Sequence, residues 1–371
     1  MDNLKNNQSA NNTGRVRVSV VVPVYNHEAF VGEAINSVLS QDFDGLEIIL
    51  VDDGSSDRSM DAAVEMLKTA AVPYQIHRQA NQGAHVAINT GINLARGEWI
   101  AILNSDDKFA PARISRLMDH AAQTNSRFVF SRVNFIDDKG QPLAETSLHR
   151  YYYEWAVGNR DLYPTPGFGL LRHQYAISTG NFFFQRAIVE EAGSFQDFKI
   201  CHDWDFILRA LLVTEISFLD EALYEYRVHP NNTVRPSVHE LRHQEMDTLL
   251  SGYLQNAESS TNPLAPCYKN WGPYWMKFAG SQISFGYLPK TSEAIKRILT
   301  GPRPDPAPIL DLTRLELLAA ALETSQNRAL YTADVLTNTR KELESLAGKS
   351  MSTLIKEKLK RQFSRFHSKN S

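Results

Sequence analysis

At 371 residues, with 43% hydrophobic and 22% charged side chains, the chain has the composition of a globular protein large enough for one big domain plus an appendage, or for two domains. A formal charge of -3 offers no global attraction to nucleic acid or to an anionic membrane, so such a contact has to come from a local patch. Cys201 and Cys267 are too few for a disulfide framework, and no apolar run approaches the ~20 residues of a membrane span.

Residues 1–14, MDNLKNNQSANNTG, lack a hydrophobic signal region and read as a disordered polar tail, which places the protein in the cytoplasm. Residues 16–24 form a continuous β-branched run, as expected of a strand buried on both faces of a parallel sheet. Residues 29–41 follow with Phe30, Ala34 and Val38 at helical spacing. The unit repeats: strands at 46–52, 74–78 and 99–103 alternate with helices at 59–68 and 85–95. Strict alternation with short loops predicts an α/β fold with a doubly wound parallel sheet. Beyond residue 111 come a helix to about 123, a strand at 128–135 and a turn at 137–140. Residues 151–168, with YYYEW and PTPGFG, read as irregular. A strand at 178–184, helices at 185–192 and 203–212, and short strands at 215–219 and 223–228 follow. From about 239 the pattern is mostly helical, broken at 263–266 and 302–308.

Three strands are apolar along their length and polar at their ends. They finish in PVYNHE (23–28), VDDGSSD (51–57) and IAILNSDDK (100–108). In a doubly wound sheet these ends meet at the edge where ligands bind. Adjacent carboxylates there repel one another and need partners once buried, yet they suit a divalent cation, which can in turn hold a diphosphate. A carboxylate can also accept from a base N–H or a ribose hydroxyl, and Tyr25 offers a stacking face. Taken alone, DDGS is equally a turn with a helix cap. No Gly-rich loop bearing Lys or Arg follows the first strand and no GxGxxG opens the first helix. This argues against nucleotidyl transfer and against dinucleotide oxidoreduction.

The second half has its own signal in residues 179–211, where TGNFFFQRAIVEEAGSF precedes HDWDFILRAL. Asp203 stands at a helix start, where the macrodipole keeps a carboxylate ionised; helix cap and general base are both consistent with that place. In LYEYRVHPNNT (223–233), Arg227 suits a phosphate and His229 a metal or diphosphate, or His229 is a plain surface residue.

PVYN, DDGS and NSDD in this order, with NQGAHVAINTGINLARGEWIAILNSDD at 81–107, resemble the family 2 glycosyltransferases over about residues 15–235. The resemblance implies a GT-A fold, a Rossmann-like and mostly parallel sheet with helices on both faces. Residues 15–110 would be the nucleotide-binding half, 111–235 the acceptor and catalytic half, and 236–371 a mostly helical C-terminal extension. By that resemblance Pro23, Tyr25, Glu28, Asp52 and Asp53 contact the nucleotide or support its pocket, together with Asn89, Asn104, Ser105 and Arg227. Asp106 and His229 hold a divalent metal, Mn2+ or Mg2+. Asp203 is the general base of an inverting transfer from a nucleotide-diphosphate sugar to a hydroxyl of a glycan or lipid-linked glycan. Three positions depart from the family pattern. Asn104 stands where Asp is commoner and brings no charge. Ile88 precedes Asn89 in place of Arg, so a phosphate contact is missing or comes from Arg78 or His85. His202 replaces the Glu that usually precedes the base. These departures keep open a degenerate, non-catalytic module that binds a nucleotide sugar or glycan.

Residues 311–340 carry Leu315, Leu318, Leu322 and Leu330 at near-helical spacing, which suits packing against the domain or another subunit. Residues 349–369 hold seven Lys or Arg against Glu357, with Leu354, Ile355, Leu359, Phe363 and Phe366 on one side of a helix. Such a basic amphipathic helix suits a membrane surface, and a solvated terminal helix is the alternative. The membrane reading implies peripheral contact at the inner face of a bacterial cytoplasmic membrane and a role in surface polysaccharide assembly. No nucleic acid partner is expected.

Overall fold

The apolar runs of the first hundred residues fold as their alternation predicts. In the computed structural model, β1 (Val18–Val24), β2 (Leu46–Asp52), β3 (Tyr74–Arg78) and β4 (Trp99–Ile102) pair in parallel in the order β3-β2-β1-β4. Between them run α1 (Val31–Leu39), α2 (Ser59–Leu67) and α3 (Ala84–Leu94). Every residue of β2 is buried, which is why its sequence shows no alternation of polar and apolar positions. The structure describes residues 15–68, 70–232, 238–285 and 288–300, so the polar tail and the segments 311–340 and 349–369 lie outside the described residues.

Past β4 the direction changes. β7 (Phe182–Gln185) runs antiparallel to β4 and to β6 (Phe128–Ile136), and β6 runs parallel to β8 (Ile216–Arg227). β5 (Lys108–Phe109) closes the far edge antiparallel to β8, which completes the order β3-β2-β1-β4-β7-β6-β8-β5. The reversed β7 has a consequence for function. Its N-terminal approach, residues 177–181, arrives at the same edge as the C-terminal ends of β1, β2, β4 and β8.

Three local readings are corrected. The segment read as irregular holds α5 (Leu148–Gly158) and α6 (Pro166–Arg172). Ser147 and Thr165 cap them, Pro166 occupies the first turn where its missing N–H costs nothing, and Tyr153 with Val157 forms a buried i,i+4 pair. The strand expected from 178 begins at Phe182, because Thr179–Asn181 make a 3-10 turn. The two short strands near 215–228 are the single β8, whose register shifts opposite Ser131–Val133.

The remaining helices are α4 (Arg113–Thr124), α7 (Ala187–Ala192), α8 (His202–Ala210), α9 (His239–Asn256), α10 (Tyr268–Phe285) and α11 (Pro289–Thr300). Phe128, Phe182, Phe184 and Phe206 form an aromatic core under α8, and Phe195 stacks on Phe206 at 4.1 Å. α9 to α11 lie in the same compact unit as the sheet, and no described helix is long and apolar enough to cross a membrane.

Candidate active site

A cleft of about 860 Å3 opens along the shared sheet edge. Its walls come from the loops after β1, β2 and β4, from residues 177–179, and from the start of α8. The loop after β1 turns at Asn26, whose φ of 52° is a left-handed value that Asn tolerates. Asn26 Oδ1 accepts from the Ser56 N–H at 2.8 Å, and Glu28 Oε2 accepts from the Arg58 N–H at 2.8 Å. Glu28 thereby seams two loops together and does not line the cleft. Pro23 and Tyr25 do, and the Tyr25 ring is 47% exposed, open to a stacking partner.

The paired acids after β2 organise backbone. Asp52 accepts from the Ser55 N–H at 2.9 Å, with Arg78 4.0 Å away. Asp53 accepts from Gln79 Nε2 at 2.8 Å and from the N–H groups of Gln82 and Gly83 at 2.9 Å, and it remains at the cleft wall. Asn89 forms a reciprocal pair with the Phe195 backbone, donating at 2.8 Å and accepting at 2.9 Å. Its amide supports the pocket from behind and is not part of the lining.

After β4 the polar cluster divides its work. Asn104 donates to Asp107 and Ser178 at 3.2 Å and accepts from Thr179 at 3.1 Å, which ties the β4 end to the approach of β7. Ser105 Oγ pairs with His27 Nδ1 at 2.8 Å. Asp106 Oδ2 lies 3.0 Å from His229 Nε2 and 3.8 Å from His27 Nε2. One donor atom from each of these three residues lies within 4.8 Å of the other two. Burial holds His27 below the usual imidazole range. Asp107 is buried and accepts from the Arg227 N–H at 2.7 Å and from the Tyr224 hydroxyl. Burial, and after it the charge of Asp106, push the Asp107 carboxyl well above its ordinary value.

The expected phosphate contact at Arg227 is corrected. Its guanidinium is fully buried over the Phe30 ring and donates to the carbonyls of Asp106, Asp137 and Asp138 and to Glu33. The side chain braces the loops after β4 and β6 and leaves no edge for a ligand. Arg78 is likewise outside the lining, and His85 lies 3.6 Å from Asp197. Among the described residues, Lys199 is the one Lys or Arg that lines the cleft, paired with Asp197 at 2.8 Å.

Asp203 stands in the first turn of α8 and lines the same cleft. Its carboxylate accepts from the Trp204 N–H at 2.7 Å and from Gln174 Nε2 at 2.6 Å, and burial raises its pKa. Gln174 in turn accepts from the N–H of Ile177, which sits at φ 74°. A β-branched residue in left-handed backbone is strained, and this one lies in the cleft wall. Glu245 of α9 accepts three successive N–H groups ahead of α8, from Lys199, Ile200 and Cys201, at 2.7, 2.9 and 2.9 Å. Sequence reading missed His27, Gln174, Ile177, Lys199 and Glu245. His27 was visible inside PVYNHE, whereas Glu245 lies 42 residues beyond Asp203 with no motif around it.

Residues 19–193 match the profile described as glycosyl transferase family 2. The chain is 34% identical over 224 residues to EpsJ of Bacillus subtilis (strain 168), an uncharacterized glycosyltransferase, over 58% of this chain and 62% of EpsJ. It is 27% identical over 233 residues to the glycosyltransferase GlyG of Streptococcus pneumoniae serotype 4, covering 59% of this chain and 73% of GlyG. The mannosyltransferase PcManGT of Pyrobaculum calidifontis, solved with GDP-Man and Mn2+, superposes with a TM-score of 0.52 at 19% identity, covering 88% of this chain and 84% of that one. The sheet and its helices therefore have the GT-A fold. Residues 19–193, which carry the three polar strand ends of this cleft, thus match glycosyl transferase family 2.

Proposed function

We propose that the protein transfers a sugar from a nucleotide-diphosphate sugar to an acceptor hydroxyl with inversion, using Asp203 as general base. The observation that carries this reading is that Asp203 and Asp106 line the same cleft from two different elements, the start of α8 and the loop after β4. In an inverting transfer the acceptor oxygen bonds to the anomeric carbon as the bond to the diphosphate oxygen breaks. The acceptor proton goes to a base on the acceptor side. Gln174 and the Trp204 N–H hold the Asp203 carboxylate in one orientation, and its burial makes it a stronger base than a solvated Asp. Tyr25 at the cleft mouth stacks on the nucleobase, while the loops organised by Asp52 and Asp53 shape the pocket around it.

The donor set of Asp106 and His229 fits a divalent cation, since Asp106 supplies a carboxylate oxygen and His229 an imidazole nitrogen 3.0 Å apart. A cation held there supplies Lewis acidity toward the diphosphate. The test is a nucleotide-sugar panel with Mn2+, Mg2+ or EDTA, read by thermal stabilisation and slow donor hydrolysis. Metal-dependent stabilisation by one diphosphate sugar supports the reading. No response to any donor leaves the degenerate binding module instead.

The acceptor we propose is a glycan or lipid-linked glycan, with residues 349–369 touching an anionic membrane surface. Sedimentation with anionic liposomes tests the membrane part: equal binding by the full chain and by one ending before Lys349 removes it.

A further inference from the structure

A third nitrogen stands beside the pair of metal donors. His27 Nε2 lies 3.8 Å from Asp106 Oδ2, and His229 Nε2 lies 3.0 Å from the same oxygen. Two donors about 2.1 Å from a shared ion are at most about 4.2 Å apart, so both separations already suit one ion. The pair of imidazoles, within 4.8 Å, needs only a small closure. His27 Nδ1 sits 2.8 Å from Ser105 Oγ, and a proton donated there leaves the Nε2 lone pair turned to the Asp106 side. The ring is braced edge-on by Phe30 and His229, with centroids 6.3 and 5.8 Å away.

The neighbouring oxygens are otherwise engaged. Asp107 is committed to Tyr224 and Arg227, Asp53 to Gln79, Gln82 and Gly83, and Asn104 carries no charge. From this arrangement we infer that His27 is a third protein ligand of the cation, and that the resulting set of two imidazoles and one carboxylate prefers Mn2+, Co2+ or Zn2+ to Mg2+. Mg2+ takes oxygen donors and keeps its waters, whereas imidazole favours first-row transition ions, with affinity rising from Mn2+ to Co2+. An Asp106–His229 pair alone gives little basis for that choice. The inference rests on the metal role proposed for Asp106 and His229.

The experiment is a Co2+ titration of the full chain without nucleotide, followed by visible absorption, with Mg2+ uptake measured by equilibrium dialysis. His27→Ala removes the ligand, and His27→Phe removes it while keeping a ring against Phe30 and His229. Both variants are expected to bind Co2+ at least about 10-fold more weakly and with an altered absorption band, while Mg2+ uptake changes little. Thermal unfolding without metal confirms that the variants are folded. Co2+ affinity unchanged in both variants overturns the role of His27 and leaves Asp106 and His229 in place. Mg2+ bound by the unaltered chain as tightly as Co2+ overturns the preference. No Co2+ uptake by the unaltered chain overturns this inference together with the metal role on which it rests.

Discussion

Asp106 and Asp107 are adjacent and chemically identical, yet the fold gives them different work. Asp106 points its oxygen at two imidazoles, whereas Asp107 is a buried acceptor joining the β8 end to the loop after β4. Asp107→Asn leaves a donor facing an amide N–H and is expected to lower stability by about 1–3 kcal/mol in chemical denaturation at acid pH, where the unaltered carboxyl is neutral in the folded and unfolded chain alike. Asp106→Asn should leave the unfolding midpoint near that of the unaltered chain while removing the response to metal. For Asp203, the expected loss in Asp203→Asn is about 10²- to 10⁴-fold in transfer, with nucleotide binding retained in a calorimetric titration. Unchanged turnover in that variant ends the assignment. The pH profile follows in sign: a base must be ionised, and burial raises this carboxyl, so transfer climbs as pH rises through a value above the usual Asp range. Gly180 adds a packing constraint, because a Cβ there would meet the Tyr224 hydroxyl at 1.9 Å and the Asn104 nitrogen at 2.9 Å.

At the level of elements, the approach to α8 is held from α9. Glu245 gathers the three N–H groups ahead of it from α9, and removing that carboxylate leaves them without their acceptor. Glu245→Ala should cost about 1–3 kcal/mol of stability and slow transfer more than it weakens nucleotide binding, which kcat and a binding titration separate. β8 begins with a second such device. Glu215 accepts from the Gly167 N–H of α6 at 2.8 Å, and burial pushes its carboxyl from 4.5 up to about 7. A folded value raised above the unfolded one means that stability is lost as pH rises from about 4.5 to about 7. Glu215→Gln does not ionise. Its stability relative to the unaltered chain should therefore rise across that window, by on the order of 3 kcal/mol, in denaturation series at several pH values. A gap that stays constant with pH rejects this account of Glu215.

Across the whole molecule, the sheet domain is completed by helices beyond the segment that carries the family signature. Leu249, Leu250 and Leu254 of α9 and Trp275 of α10 are buried, and Phe168 of α6 meets Phe278. A chain ended at residue 235 should lose these contacts, expose the apolar faces beneath them, and unfold without a sharp transition or aggregate in size-exclusion chromatography. The first four strands and three helices were legible because strands buried on both faces need uninterrupted apolar runs, and helices on a sheet need a repeating apolar face. The second half was less legible. Thr165 with Pro166 opens a helix inside a stretch rich in Pro, Gly and Tyr, and the backward strand β7 leaves no period of its own. Sequence alone determined the α/β class, the family resemblance of residues 19–193, and which strand ends are polar, because those depend on side-chain type and local spacing. Only the tertiary structure decided that Arg227 and Asn89 brace the pocket from behind, that His27 joins Asp106 and His229, and that Glu245 reaches α8. Those roles depend on which distant backbone groups and charges meet in a buried place, and spacing along the chain carries no record of that.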